Sequence, residues 1–197
     1  MHYAINPIET SEADTVRYVI DAKDSKFTVR ATAAGMLSAF AHSPLISIPD
    51  FEGEVRLNLA VLENSSLRMV IHSASLVATD VSSDKDREEI NRRMHDEVLE
   101  SDGFAEIVYE CSRVSASKTG EAQYWAALQG ELSLHGVTRN QVVSARVSVN
   151  GDSLRATGEF FIRQSDYEIK PVTAAGGAIR LKDELKFSFD ISARKPG

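Results

Sequence analysis

The chain has 197 residues, 43% of them hydrophobic and 26% charged, enough for one domain with a sizeable core. Its net charge of −7 comes without any basic block, which excludes a groove that tracks the phosphates of a nucleic acid. The single cysteine, Cys111, rules out an intramolecular disulfide, and no apolar run approaches the roughly 18 residues of a membrane-spanning helix.

The opening stretch MHYAINPIETSEADTV has no charged segment followed by an apolar one, so no signal peptide is expected. The reading is a cytoplasmic protein with a loose tail over residues 1–13 and a single domain over 14–197. From there, period-two alternation dominates. Val16, Tyr18 and Ile20 alternate with Arg17 and Asp21. After AKDS, read as a turn, Phe27, Val29 and Ala31 alternate with Lys26, Thr28 and Arg30. The next set is Phe51, Gly53, Val55, Leu57 and Leu59 against Glu52, Glu54, Arg56 and Asn58. Such alternation predicts strands with one apolar and one solvated face. LRMVIHSASLV (67–77) and AEIVYEC alternate less clearly, with apolar residues on both faces.

One helix interrupts the strands. In SSDKDREEINRRMHDEVLES, Ile90, Met94 and Val98 recur four apart, an apolar stripe on a charged cylinder expected over about 83–99. Ser83 with Asp86 resembles a capping box, and the early acids and later Arg92 and Arg93 suit the helix dipole. The stripe is narrow, so the helix is expected to lie on one surface as a lid or flank. Alternation then resumes through Tyr124 to Leu134, Val143 to Val149, Leu154 to Ile162 and Leu185 to Ile191. The signals KTGE (118–121) and NGDS (150–153) between strands favour antiparallel hairpins.

Strands of this number and patterning bury their apolar faces by closing into a barrel or by stacking two sheets. The presumed inner face includes Ala31, Gly53, Ala126, Gly130, Ala145, Ala156 and Gly158. Small residues there mean either bends in the strands or a hollow interior, and periodicity does not separate the two. In the hollow case Gly130→Leu and Ala156→Leu are both expected to fill the space.

The segment GELSLHGVTRNQV, read with YVIDAKDSKFTV, DFEGEVRL, FIRQSDYEI and LKDELKFSFDISA in that order, resembles the YceI-like family from about Tyr18 to Ala193. That family commonly has a phenylalanine pair near the helix end, where this chain has Val98-Leu99. The resemblance implies an all-β fold: a single antiparallel lipocalin-like β-barrel with one flanking amphipathic helix. It also implies an apolar tunnel for a long isoprenoid or similar amphiphile, and frequent homodimers. Under that reading Phe27, Val29, Leu57, Tyr124, Leu128, Leu132, Phe160 and Phe187 line the tunnel. His42, in the irregular segment SAFAHSPLIS, and Arg163 and Lys170, near PVTAAGGA, are the candidates for the ligand's polar head.

Catalytic chemistry finds less support. Parity puts His135 with Glu131 and Ser133 on the polar face, one step before Gly136, and assigns it to a turn. The five histidines show no two-ligand spacing, so no metal and no cofactor is expected. There is no Gly-x-Ser-x-Gly, and Cys111 in VYECSRV reads as a small core residue. Non-catalytic carriage or storage of an amphiphile is therefore the expectation. The alternatives are a small-molecule isomerase or hydrolase in the same cavity, and a solid-cored assembly protein.

Overall fold

The computed structural model describes residues 15–34, 43–174 and 179–197. Its strands are β1 (Thr15–Ala34), β2 (Leu45–Ser47), β3 (Phe51–Asn58), β4 (Ser66–His72), β5 (Val77–Ala78), β6 (Glu106–Gly120), β7 (Gln123–Leu134), β8 (Val137–Asn150), β9 (Ser153–Arg163), β10 (Thr173–Ala174) and β11 (Ile179–Arg194). A single α-helix among the described residues, α1 (Asp84–Arg93), joins β5 to β6. Eight long antiparallel strands run in the order β1-β3-β4-β6-β7-β8-β9-β11, and the pairing of β11 with β1 closes the cylinder. Closure satisfies the strand edges that an open sheet would expose. The short β2, β5 and β10 only extend the rim. The expected loose tail over 1–13 lies outside the described residues.

Two features depart from the alternation. AKDS is not a turn between two strands: β1 runs through it, and both halves pair with β11, from Val19↔Arg194 to Ala34↔Arg180. The extra residues form a bulge between Asp21 and Lys26. Asp21 Oδ1 accepts from the Lys23 and Asp24 amides, and Ser25 Oγ donates to Asp21 O while accepting from Ser192 N. Those bonds replace the missing ladder, and the odd residue count keeps Ile20 and Phe27 both facing inward. At the end of β3, Asn58 is buried at 4% exposure and Leu59 is 48% exposed, the reverse of the parity reading. Asn58 Oδ1 accepts from the Ala60 and Val61 amides, and its Nδ2 donates to Thr15 Oγ1, so the polar side chain turns the chain there.

The remaining connections follow their sequence signals. β6–β7 and β8–β9 are antiparallel hairpins across KTGE and NGDS. His135 and Gly136 make the two-residue turn from β7 to β8, with φ of 52° and 75°. Two positive φ values in succession match the twist of the flanking strands.

The helix begins where Ser83 Oγ accepts from the Asp86 amide, with Asp84 and Asp86 in its first turn and Arg92 and Arg93 in its last. It continues as one wider π turn over Met94–Val98, closed by Leu99 N donating to Met94 O. Ile90, Met94 and Val98 pack against the barrel core as the stripe predicted. Met94→Lys is therefore expected to lower stability by about 1–3 kcal/mol unless the ammonium reaches water. An unchanged urea midpoint would show that the stripe does not seal the barrel.

Candidate ligand-binding cavity

The barrel is hollow. A cavity of about 750 Å³ runs along its axis, from Ile90 and Met94 of the helical lid to Leu62, Ala116 and Tyr124 at the opposite end. That volume falls within the roughly 300–1,000 Å³ usual for small-molecule sites. Its wall is built by the inward residue of each alternating pair. Phe27, Val29, Leu57, Tyr124, Leu128, Leu132, Phe160 and Phe187, expected there from sequence, all lie on it. One side is aromatic: Phe160 stacks on Phe187 at 4.8 Å, and Phe27 meets Phe187 and Phe189 at 6.1 and 6.3 Å. Beside these rings the wall is small, with Ala156 on the same strand as Phe160 and Ala145 and Ala126 on the neighbouring β8 and β7.

The inward alanines and glycines therefore divide. Ala31, Ala126, Ala145 and Ala156 line the cavity, whereas Gly53, Gly130 and Gly158 do not. A Cβ on Gly130 would stand 2.5 Å from Glu110 O and 2.6 Å from Tyr109 Cζ. The absent side chain lets the Tyr109 ring cross β7, where its hydroxyl donates to Leu128 O and Gln141 O, each at 3.1 Å. Burial holds the phenol well above its ordinary pKa. Gly158 is covered in the same way by Phe189. These glycines belong to close approaches of strand and ring, and the hollow comes from the alanines.

Charged side chains reach the wall only at the helical end, where Asp86, Glu89 and Arg93 line it with Ser82, Gln164 and Thr173. Arg93 Nε bonds Glu97 at 3.1 Å, and both its terminal nitrogens face Thr173 O at 3.4 Å. Arg92 grips Glu89 through two bonds and keeps that carboxyl below the usual range. Arg163 and Lys170, expected at the ligand head, are exposed and lie off the cavity. The reason is the strand period. Phe160 and Ile162 of β9 face inward, so Phe161 and Arg163 face out, and buried Ile169 turns Lys170 outward. The polar residue that does reach the wall there is Gln164, 2% exposed, which the sequence reading passed over. His42 lies outside the described residues, as do Gly176 and Gly177.

The other chemical candidates stand apart from this wall. Cys111 is buried beside Val114 and Ala126, its Sγ bonds Arg113 O at 3.2 Å, and burial pushes the thiol pKa up. His135 is tied to the segment after the lid: Nε2 meets Glu100 Oε2 at 2.7 Å and the ring lies 4.3 Å from Phe104. Its Nδ1 is buried without a partner among the described residues. The histidine thus braces a turn against the helix's C-terminal segment. Among the described residues no three His, Cys, Asp or Glu side chains converge on one point, and no helix is long and apolar enough to cross a membrane.

A family model for the YceI-like domain matches residues 18–193. The chain belongs to the YceI-like family. Solved structures agree on the fold. A YceI-like chain of this shape is similar to BcnA of Burkholderia cenocepacia, with TM-score 0.67 and 17% identity over 88% of this chain and 98% of that one. It is also similar to a polyisoprenoid binding domain from Saccharophagus degradans implicated in plant cell wall breakdown, with TM-score 0.66 and 14% identity over 92% and 99%. A third is the YceI protein of Campylobacter jejuni, with TM-score 0.58 and 14% identity over 77% and 85%. No curated protein matches the chain.

Proposed function

We propose that this YceI-like protein binds a long isoprenoid-like amphiphile inside the barrel and carries or stores it without chemical change. The observation that carries the reading is the axial cavity, mostly apolar and charged only at the helical end. A molecule with an apolar tail and one polar head matches that distribution, because tail burial is favourable and the head keeps partners or water. The polyisoprenoid binding of the Saccharophagus degradans domain supports the same ligand class. Non-catalytic binding is supported by Cys111, whose thiol points at a backbone carbonyl, and by His135, which braces a turn.

The test is mass spectrometry of an organic extract from the purified protein, followed by reloading the delipidated protein with a polyprenol. A long-chain lipid in near-stoichiometric amount, bound again unaltered, is the expected result. A protein that holds no lipid and takes none up, or that returns a converted product, would overturn the proposal.

A further inference from the structure

The charged end of the cavity restricts what head the ligand carries. We propose that the head is neutral and donates a hydrogen bond, and that the side-chain oxygen of Gln164 receives it; this rests on the amphiphile reading above. Gln164 follows β9 directly, is 2% exposed and forms part of the cavity wall. Its Nε2 donates to Lys182 O at 2.9 Å and more weakly to Asp183 O at 3.5 Å. Two carbonyl partners fix the orientation of the amide, since only its nitrogen donates. The nitrogen is thus committed to the backbone of β11, and Oε1 receives no bond from the described residues. A ligand donor that reaches this oxygen adds one hydrogen bond without taking Nε2 from its carbonyls. An alcohol or a quinol supplies such a donor; an ether, an ester or an oxidised quinone does not.

Electrostatics at the same end disfavours an anionic head. Asp86 and Glu89 lie on the wall there, and Arg93 is the one cationic side chain of the described wall. Arg93 is already paired with Glu97 and turned onto Thr173 O. Thr173 and Val172 adjoin β11 through the pairs Thr173↔Arg180 and Leu181 N to Val172 O. This links the Arg93 contact to the strand that holds Gln164. A diphosphate at this end of the cavity therefore meets the Asp86 carboxylate, a Glu89 carboxylate already held by Arg92 and an Arg93 guanidinium already held by Glu97. An added hydroxyl meets an open acceptor.

Geranylgeraniol, its methyl ether and geranylgeranyl diphosphate share one tail and differ only at the head. Their dissociation constants with the delipidated full chain test the proposal directly. The alcohol is expected to bind about three- to tenfold tighter than the ether, the yield of one hydrogen bond, and the diphosphate weakest of the three. In Gln164→Met the alcohol and the ether should bind alike, at about the affinity of the ether for the natural chain. Should that variant not fold, the ranking on the natural chain decides alone. Equal binding of alcohol and ether, or tightest binding of the diphosphate, would overturn the head assignment while leaving amphiphile binding intact. Failure of all three to bind would instead remove the amphiphile reading and this inference with it.

Discussion

Gly130→Leu is expected to destabilise the barrel by about 3 kcal/mol or more. The Cβ alone would stand 2.5 Å from the backbone oxygen of Glu110 and 2.6 Å from the Tyr109 ring. Neither neighbour can yield cheaply. Glu110 sits within the β4–β6–β7 ladder, paired with Arg68 and Glu131, so its carbonyl moves only with the sheet. Tyr109 is held by two bonds from its hydroxyl, and swinging the ring away leaves Leu128 O and Gln141 O without that donor. Chemical denaturation measures the outcome as a lowered midpoint at constant slope. A variant within about 0.5 kcal/mol of the natural chain, the scatter of a harmless surface change, would show that the ring does not lie over β7.

That outcome reverses one sequence-level expectation and shows where patterning stops. Alternation identifies which residues face inward, because the side-chain period of a strand is set by its pleat. It located Phe27, Leu57, Leu132 and Phe187 on the wall and Ile90, Met94 and Val98 beneath the lid. Parity does not say what stands opposite an inward position. Gly130 and Ala156 look alike in sequence, yet one lies beneath a tyrosine and the other opens on empty space. That difference is set by pairing register: β6 places Tyr109 opposite Leu132, one inward position from Gly130.

Two other readings part from the observed geometry for local reasons. The AKDS bulge depends on Ser25 reaching Ser192, a contact between opposite ends of the chain that no short window contains. Arg163 and Lys170 drew attention as charges near a loop, but strand period points Arg163 outward. The period itself was readable, since Phe160 and Ile162 already marked the inner face and Arg163 falls on the other. Gln164 is harder to find. It begins a short 3-10 turn after β9, where alternation has ended, and only the carbonyls of Lys182 and Asp183 reveal why an amide is buried there. His135 was legible because a histidine and a glycine between two alternating runs fit a two-residue hairpin turn, and both carry positive φ.

Ala156→Leu is the counterpart of the glycine variant and is expected to do the opposite. Ala156 pairs with Val147 on β8 and Ile191 on β11, and its methyl group lines the cavity. A leucine there extends into unoccupied apolar space without displacing backbone. Filling such space leaves stability unchanged or raises it by about 0.5–2 kcal/mol. The same atoms take volume from a bound tail, and the aromatic wall formed by Phe160 and Phe187 limits how far the tail can shift. Ligand retention should fall by about tenfold or more, the equivalent of roughly 1.4 kcal/mol of lost contact. The paired measurement is the denaturation midpoint of the delipidated protein beside the dissociation constant of a polyprenol. If Ala156→Leu kept full affinity while losing stability, the tail would not pass this position and the axial route through the barrel would be wrong.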